Sequence, residues 1–229
     1  MLFFIEKITE KMANMKIVKE GLWVIIPSAV IPILLIGLTK MPVWGLLFIF
    51  TAIVMLFFRD PKRLAPNDPR AVVAPADGRI ILIDDKPNEL SFYIELSVVN
   101  CHLQRAPLGG TVTKVVKFAG RHRRFHLFSP KFGQARKKIR AATENARNQI
   151  EIQLENSPRK MWLTQIVGAF ARRLKSFVKV GQVLQKGEKV GLIYFGSMVK
   201  LQLEGQYELK VVKNQKVKAG ETIIAYQRD

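Results

Sequence analysis

Two apolar runs open the chain. Gly21 to Thr39 and Pro42 to Phe58 carry almost no charge, and each is close to the roughly 20 residues that a membrane-crossing helix needs. Only Lys40 and Met41 separate them before Pro42, which leaves room for nothing but a tight turn, so the pattern predicts a transmembrane helical hairpin. Lys16 and Lys19 precede the first run, and Arg59, Lys62 and Arg63 follow the second. An excess of basic residues marks the cytoplasmic side, which places both outer ends, and all that follows residue 58, on the cytoplasmic face of a cell membrane. A signal peptide would show a single apolar core and a small-residue cleavage site. Pro27 and Pro32 lie inside the first run, where lipid-embedded helices tolerate them.

Beyond residue 58 the period shortens. The connector FFRDPKR and LAPNDPR leads into VVAPADGRIILID, a β-branched run interrupted by a Pro and Gly turn signal. SFYIELSVV, GTVTKVVKF, NQIEIQLE, SFVKV, KVGLIYF, VKLQLE and TIIAY follow, each short, β-rich and bounded by turn residues. One short helix is expected around Gln134 to Ala142. The expected organisation is an N-terminal segment over residues 1–20, the membrane hairpin over 21–58 and a mainly β domain over 59–229.

Segments of the β domain recur. Ala74-Pro75-Ala76-Asp77-Gly78-Arg79-Ile80 parallels Ala106-Pro107-Leu108-Gly109-Gly110-Thr111-Val112, and GQVLQKGEKV parallels NQKVKAGETI. The Gly-Gln-x-Val-x-x-Gly-Glu pattern resembles the hairpins of lipoyl and biotinyl carrier domains, so the fold class expected is a barrel-sandwich-hybrid-like β domain with a short helix behind the hairpin. No Met-Lys-Met or Asp-Lys-Ala tripeptide offers a carrier lysine. The formal net charge is +19, and no acidic residue occurs between Glu95 and Glu144. Beside a membrane hairpin this cationic stretch suits anionic headgroups, at about 1 kcal/mol per Lys or Arg near the surface. Nucleic acid is set aside, because no helix-turn-helix, zinc or RNA-binding signature accompanies the charge. The single Cys101 excludes an internal disulfide framework.

Gly196-Ser197 stands between two strand-like runs in KVGLIYFGSMVKLQLE. On its own such a pair is a turn or bulge. In chain order, however, FFRDPKR, VVAPADGRI, SVVNCHLQRAP, ENARN, IVGAFARR, GEKVGLIYFGS and VKAGETIIAY resemble the short phosphatidylserine decarboxylases over essentially everything beyond Phe57, including archaeal members that act on ether lipids. The resemblance implies self-cleavage between Gly196 and Ser197. The products would be a β chain of residues 1–196 and an α chain of 197–229 that begins with a pyruvoyl group made from Ser197. That group would form a Schiff base with a serine phospholipid and accept the electrons released as carbon dioxide departs, giving phosphatidylethanolamine. Glycine before the serine leaves space for the hydroxyl to reach the preceding carbonyl.

The resemblance also assigns Asp77 and His102 to assist self-cleavage, with Asp77 orienting the imidazole and His102 available to protonate the carbanion. Some relatives carry a second histidine where this chain has Arg105. Taken alone, Asp77-Gly78 is a turn pair and His102 a packed histidine. Cys101 is read as packing, since strand neighbours point to opposite faces. His122 and His126 have metal-compatible spacing but lie among Arg121, Arg123 and Arg124, which repel a cation, so no metal is expected. Arg147, Arg172 and Arg173 suit a substrate phosphate, and Asn145 suits either the headgroup or a turn cap. The cleaved chains would remain a heterodimer, dimerised further by family analogy. The reading outside this class is a non-catalytic, membrane-tethered binding module in which Gly196-Ser197 is only a bulge.

Overall fold

The computed structural model describes residues 16–97, 99–121, 143–155, 157–168, 174–194 and 197–228. The helix expected at Gln134 to Ala142 lies outside them, as do His122, His126, Arg172, Arg173 and Gly196. The chain divides into two compact units, Met1–Lys62 and Arg63–Asp229.

In the first unit β1 (Lys16–Ile17) pairs with β2 (Arg59–Asp60). Helix α1 (Lys19–Thr39) folds back through a 3-10 turn (Pro42–Leu46) onto α2 (Leu47–Phe57). The Thr51 hydroxyl donates to the Ser28 carbonyl at 2.7 Å across the helix pair, and Val18 N–H donates to Phe58 O at 3.0 Å where the two ends meet. Trp23, Ile33, Leu34 and Leu38 of α1 are exposed, so the helix is apolar on all sides, as suits a lipid environment. Among the described residues only α1 is long and apolar enough to cross a membrane; the apolar segment Trp44–Phe57 is shorter. The described residues thus give one helix of membrane-spanning length where the sequence suggested two, and the second leg is shorter because Pro42–Leu46 winds as a 3-10 turn.

The second unit is mainly β. In chain order its strands are β3 (Ala71–Val73), β4 (Gly78–Lys86), β5 (Glu89–Leu96), β6 (Leu103–Arg105), β7 (Gly110–Phe118), β8 (Arg147–Leu154) and β9 (Lys160–Val167). There follow β10 (Leu174–Ser176), β11 (Val183–Leu184), β12 (Lys189–Ile193), β13 (Ser197–Glu204), β14 (Tyr207–Leu209), β15 (Lys216–Val217) and β16 (Ile223–Gln227). An eight-stranded antiparallel sheet runs β11-β7-β8-β9-β13-β5-β4-β15, accompanied by two three-stranded sheets, β10-β12-β6 and β14-β16-β3. Alternation along β5 and β8 buries Phe92, Ile94, Ile150 and Ile152 with Leu163, Leu201 and Val190 in one core.

The repeated segments prove to be two halves of this unit. The order of the large sheet reads symmetrically about the β9/β13 pair, and the two small sheets correspond strand for strand. Their main-chain bonds correspond too. Gly187 N–H donates to Ala106 O at 2.9 Å and Gly220 N–H to Ala74 O at 2.8 Å; both glycines have positive φ. Val112 N–H donates to Gln182 O at 2.9 Å and Ile80 N–H to Gln215 O at 3.0 Å. The halves also clasp each other reciprocally, Arg105 N–H on Pro75 O at 2.9 Å and Val73 N–H on Pro107 O at 3.1 Å.

Gly78 and Gly110 hold equivalent places. A Cβ at Gly78 would lie 2.4 Å from Glu95 O, and one at Gly110 2.3 Å from Gln153 O, so the facing strand occupies the space of a side chain. Gly78→Ala and Gly110→Ala should each destabilise the chain by about 1–3 kcal/mol, the cost of overpacking. Gly109→Ala, whose Cβ would approach nothing closer than 3.3 Å, should stay within about 0.5 kcal/mol. Melting curves of the three variants in detergent check this.

Candidate active site

In one half of the large sheet, β8 passes directly into β9 through a short turn. In the other half the corresponding strands, β5 and β13, are not consecutive: the chain leaves β5 at Leu96 and returns only at Ser197. Leu96 and Ser197 are nevertheless register partners, and Ser197 pairs with Val167 on its other side. The candidate site is thus an opened hairpin, whose two ends carry the residues singled out by sequence.

On the departing end, Ser97 N–H and Oγ–H both donate to Asn100 Oδ1, at 2.8 and 2.6 Å. The turn they hold presents Asn100 O to His102 Nδ1 at 2.9 Å. A carbonyl only accepts, so Nδ1 carries the proton and Nε2 bears the lone pair in the neutral ring. His102 is fully buried. On the returning end, Ile193 N–H donates to His102 O at 3.3 Å. Ser197 follows four residues later, within about 14 Å of extended chain. Strand β12, which ends at Ile193, is therefore bonded to His102, and β13 is paired with β5 and β9.

Asp77 is buried at 6% exposure, and its carboxylate is held by groups that the sequence reading did not name. Arg63 Nη2 donates to both its oxygens, at 3.2 and 2.9 Å, and Ala219 N–H to Oδ1 at 2.8 Å. Arg63 Nη1 also reaches Glu221 Oε2 at 2.8 Å. The guanidinium fork and the amide supply charge-assisted bonds to the carboxylate, while the imidazole is oriented by the carbonyl two residues before it. Gly109 occupies the equivalent place in the other half, so the acid belongs to one half alone.

The remaining candidates fall on different surfaces. Asn145 is fully buried and donates through Nδ2 to Val167 O at 2.7 Å, a cap on the residue that pairs with Ser197. Arg147 donates to Thr143 O at 2.7 Å and lies over the Phe118 ring at 4.4 Å. Its register partner is Ile166, one position from Val167 and so on the opposite sheet face. Arg105, where some relatives have histidine, donates through Nη1 to Gly187 O at 2.9 Å. Cys101 is buried and free of disulfide. Among the described residues no group of His, Cys, Asp and Glu is arranged to hold a metal.

The phosphatidylserine decarboxylase family model matches residues 50–225. The chain belongs to the phosphatidylserine decarboxylase family. It is similar to a phosphatidylserine decarboxylase proenzyme of Desulfotalea psychrophila, 36% identical over 78% of this chain and 83% of the relative. The proenzyme of Cupriavidus taiwanensis is 35% identical over 91% and 94%, and that of Novosphingobium aromaticivorans 37% over 80% and 75%. Within a phosphatidylserine decarboxylase, Arg63 gains interest that its motif alone did not give it. Sequence reasoning used it as a membrane-flanking charge, whereas it is the partner of the buried acid.

Arg63 and Asp77 are only 11% and 9% exposed, and removing one member of a buried pair leaves the other charge uncompensated. Arg63→Met should lower stability by about 3 kcal/mol, the lower end of that range because Glu221 is partly hydrated. Arg63→Lys, which keeps one charge, should cost less. Thermal melts of the two variants beside the parent chain measure the difference.

Proposed function

We propose that this chain is a self-processing phosphatidylserine decarboxylase that cuts itself between Gly196 and Ser197. The observation that carries the reading is the opened hairpin, in which Leu96 pairs with Ser197 while His102 is bonded to the strand leading toward it. In this reading His102 Nε2 takes the Ser197 hydroxyl proton as the oxygen adds to the Gly196 carbonyl. The peptide bond is exchanged for an ester, which eliminates as position 197 loses its α-proton. Hydrolysis then releases ammonia and leaves a pyruvoyl terminus.

The described residues suit such a group. Position 197 opens a strand bonded on both edges, so a new terminus there stays fixed, and the neighbouring Val167 carbonyl is already engaged by Asn145. When formed, the pyruvoyl ketone supplies the electron sink for loss of the substrate carboxylate. His102 holds a lone pair on Nε2 and can return a proton to the substrate carbon. Asp77 is bonded to Arg63 and the Ala219 amide, which ties the α-chain segment 219–221 to the β chain.

For the rest of the molecule the reading is a barrel-sandwich-hybrid-like domain, supported by the two-fold internal order of the sheets. The domain is carried at the cytoplasmic face of a cell membrane by α1 and α2. Basic residues at both ends of the helix pair support that orientation, and the cationic surface would meet anionic lipid. The chemistry engages only the serine end of the lipid, so ester- and ether-linked substrates are both within reach of the site. A non-catalytic tethered module is the reading that an uncut chain would favour.

Intact-mass analysis of the purified chain should find one fragment ending at Gly196 and another beginning with pyruvoyl at position 197. Ser197→Ala should remain a single chain and release no carbon dioxide from phosphatidylserine vesicles. His102→Gln should cut at least about a hundred-fold more slowly, as expected on losing a general base. A parent chain that stays whole in a lipid environment would overturn the enzyme reading.

A further inference from the structure

We propose that Gln104, Gln165 and Asn148 are positioning residues for His102, acting as a chain of three buried amides whose polarity is set by the histidine's own carbonyl. The inference rests on the reading of His102 as the base in self-cleavage. All three side chains are fully buried. Gln104 Nε2 donates to His102 O at 2.6 Å, Gln165 Nε2 to Gln104 Oε1 at 2.7 Å, and Asn148 Nδ2 to Gln165 Oε1 at 2.9 Å.

The direction of every bond follows from the first. A main-chain carbonyl only accepts, so Gln104 must turn its NH2 toward it and its oxygen toward Gln165. Gln165 must then offer NH2 to Gln104 and oxygen to Asn148, and Asn148 must offer NH2 in turn. Flipping any one amide sets two oxygens or two NH2 groups against each other. The chain ends on Asn148 Oδ1, which is buried without a hydrogen-bond partner among the described residues.

Packing alone does not account for this arrangement. Buried amides are costly to desolvate and this chain leaves one acceptor unmet, whereas apolar side chains would fill the same space with no such penalty. A Cβ at Gly191 of β12 would lie 2.5 Å from Gln165 Nε2 and 2.6 Å from the Lys175 carbonyl oxygen, so the Gln165 amide packs directly against the backbone of that strand. The chain spans both layers, from β8 and β9 of the large sheet to β6 of the small one. It brings a second donor to the carbonyl that already receives Ile193 N–H. His102 O is thus the node where the large sheet, the histidine and the segment leading to position 197 are joined.

Gln165→Glu tests the polarity directly in the full chain. As a neutral acid the new side chain donates O–H to Gln104 and accepts from Asn148, so the order of bonds survives. Ionised, it only accepts, and Gln104 must turn its NH2 away from His102. Purified in detergent at alkaline pH, Gln165→Glu should be a folded, uncut chain, and on acidification it should yield the two fragments about ten- to a hundred-fold faster. Gln165→Met, of similar volume, should cut slowly at every pH with no recovery. If folded Gln165→Glu is already cut at alkaline pH like the parent, or stays uncut after acidification, the inference is overturned. Should both variants fail to fold, Gln104→Met decides: a folded chain cut at the parental rate overturns the inference, and one slowed about ten-fold or more sustains it. A parent chain that never cuts would instead refute the functional reading itself.

Discussion

Everything in the β unit depends on the pairing of β13 along both of its edges, with β5 on one side and β9 on the other. That double ladder joins the two internal halves, since β9 and β13 meet where the order of the large sheet reverses. It also fixes the first residue of the strand against Leu96 and Val167 without help from any loop. A reactive position is usually held by a scaffold beneath it; the position proposed to react is here the first residue of the scaffold's central strand.

The internal symmetry explains where chemistry is placed as well as how the chain is held. Most features occur twice: the close-approach glycines Gly78 and Gly110, the positive-φ turns at Gly187 and Gly220, and the exchanged bonds of Arg105 and Val73. Two departures from it bear on the candidate site. Asp77 stands opposite Gly109, and the turn that simply links β8 to β9 becomes, in the other half, the gap between Leu96 and Ser197. The shared features hold the fold, and the unshared ones hold the candidate site.

Much of this was legible in the sequence. The repeats, the mainly β character and the strands β5, β7, β8, β12, β13 and β16 follow from alternation and turn residues, and the motif order points to Asp77, His102 and Ser197. Strand β9 did not announce itself, although it is central. Its alternation of Met161, Leu163 and Val167 is broken by Gln165 at a core position, and a buried amide reads as polar until its partners on two other strands are known. Arg63 was hidden for a related reason: a basic residue after an apolar run looks like a membrane flank, and only tertiary contact reveals the acid it serves. The bonds of Asp77 to Arg63 and the Ala219 amide are likewise not legible in the motif, because they join the acid to segments distant in sequence.

The distribution of strands along the chain would also make folding irreversible, in a particular sense, for a chain cut as proposed. Residues after position 197 supply β13 to β16, and these pair with β3, β4, β5 and β9 from far earlier in the chain. Such long-range pairings are slow to assemble even when the polymer is continuous and the ends are tethered. Cleavage between positions 196 and 197, as proposed, would take that tether from the short piece and make its return a bimolecular search. The uncut precursor would then be the form equipped to find the native state, and the cut protein, if ever unfolded, would have lost its own instructions for rebuilding.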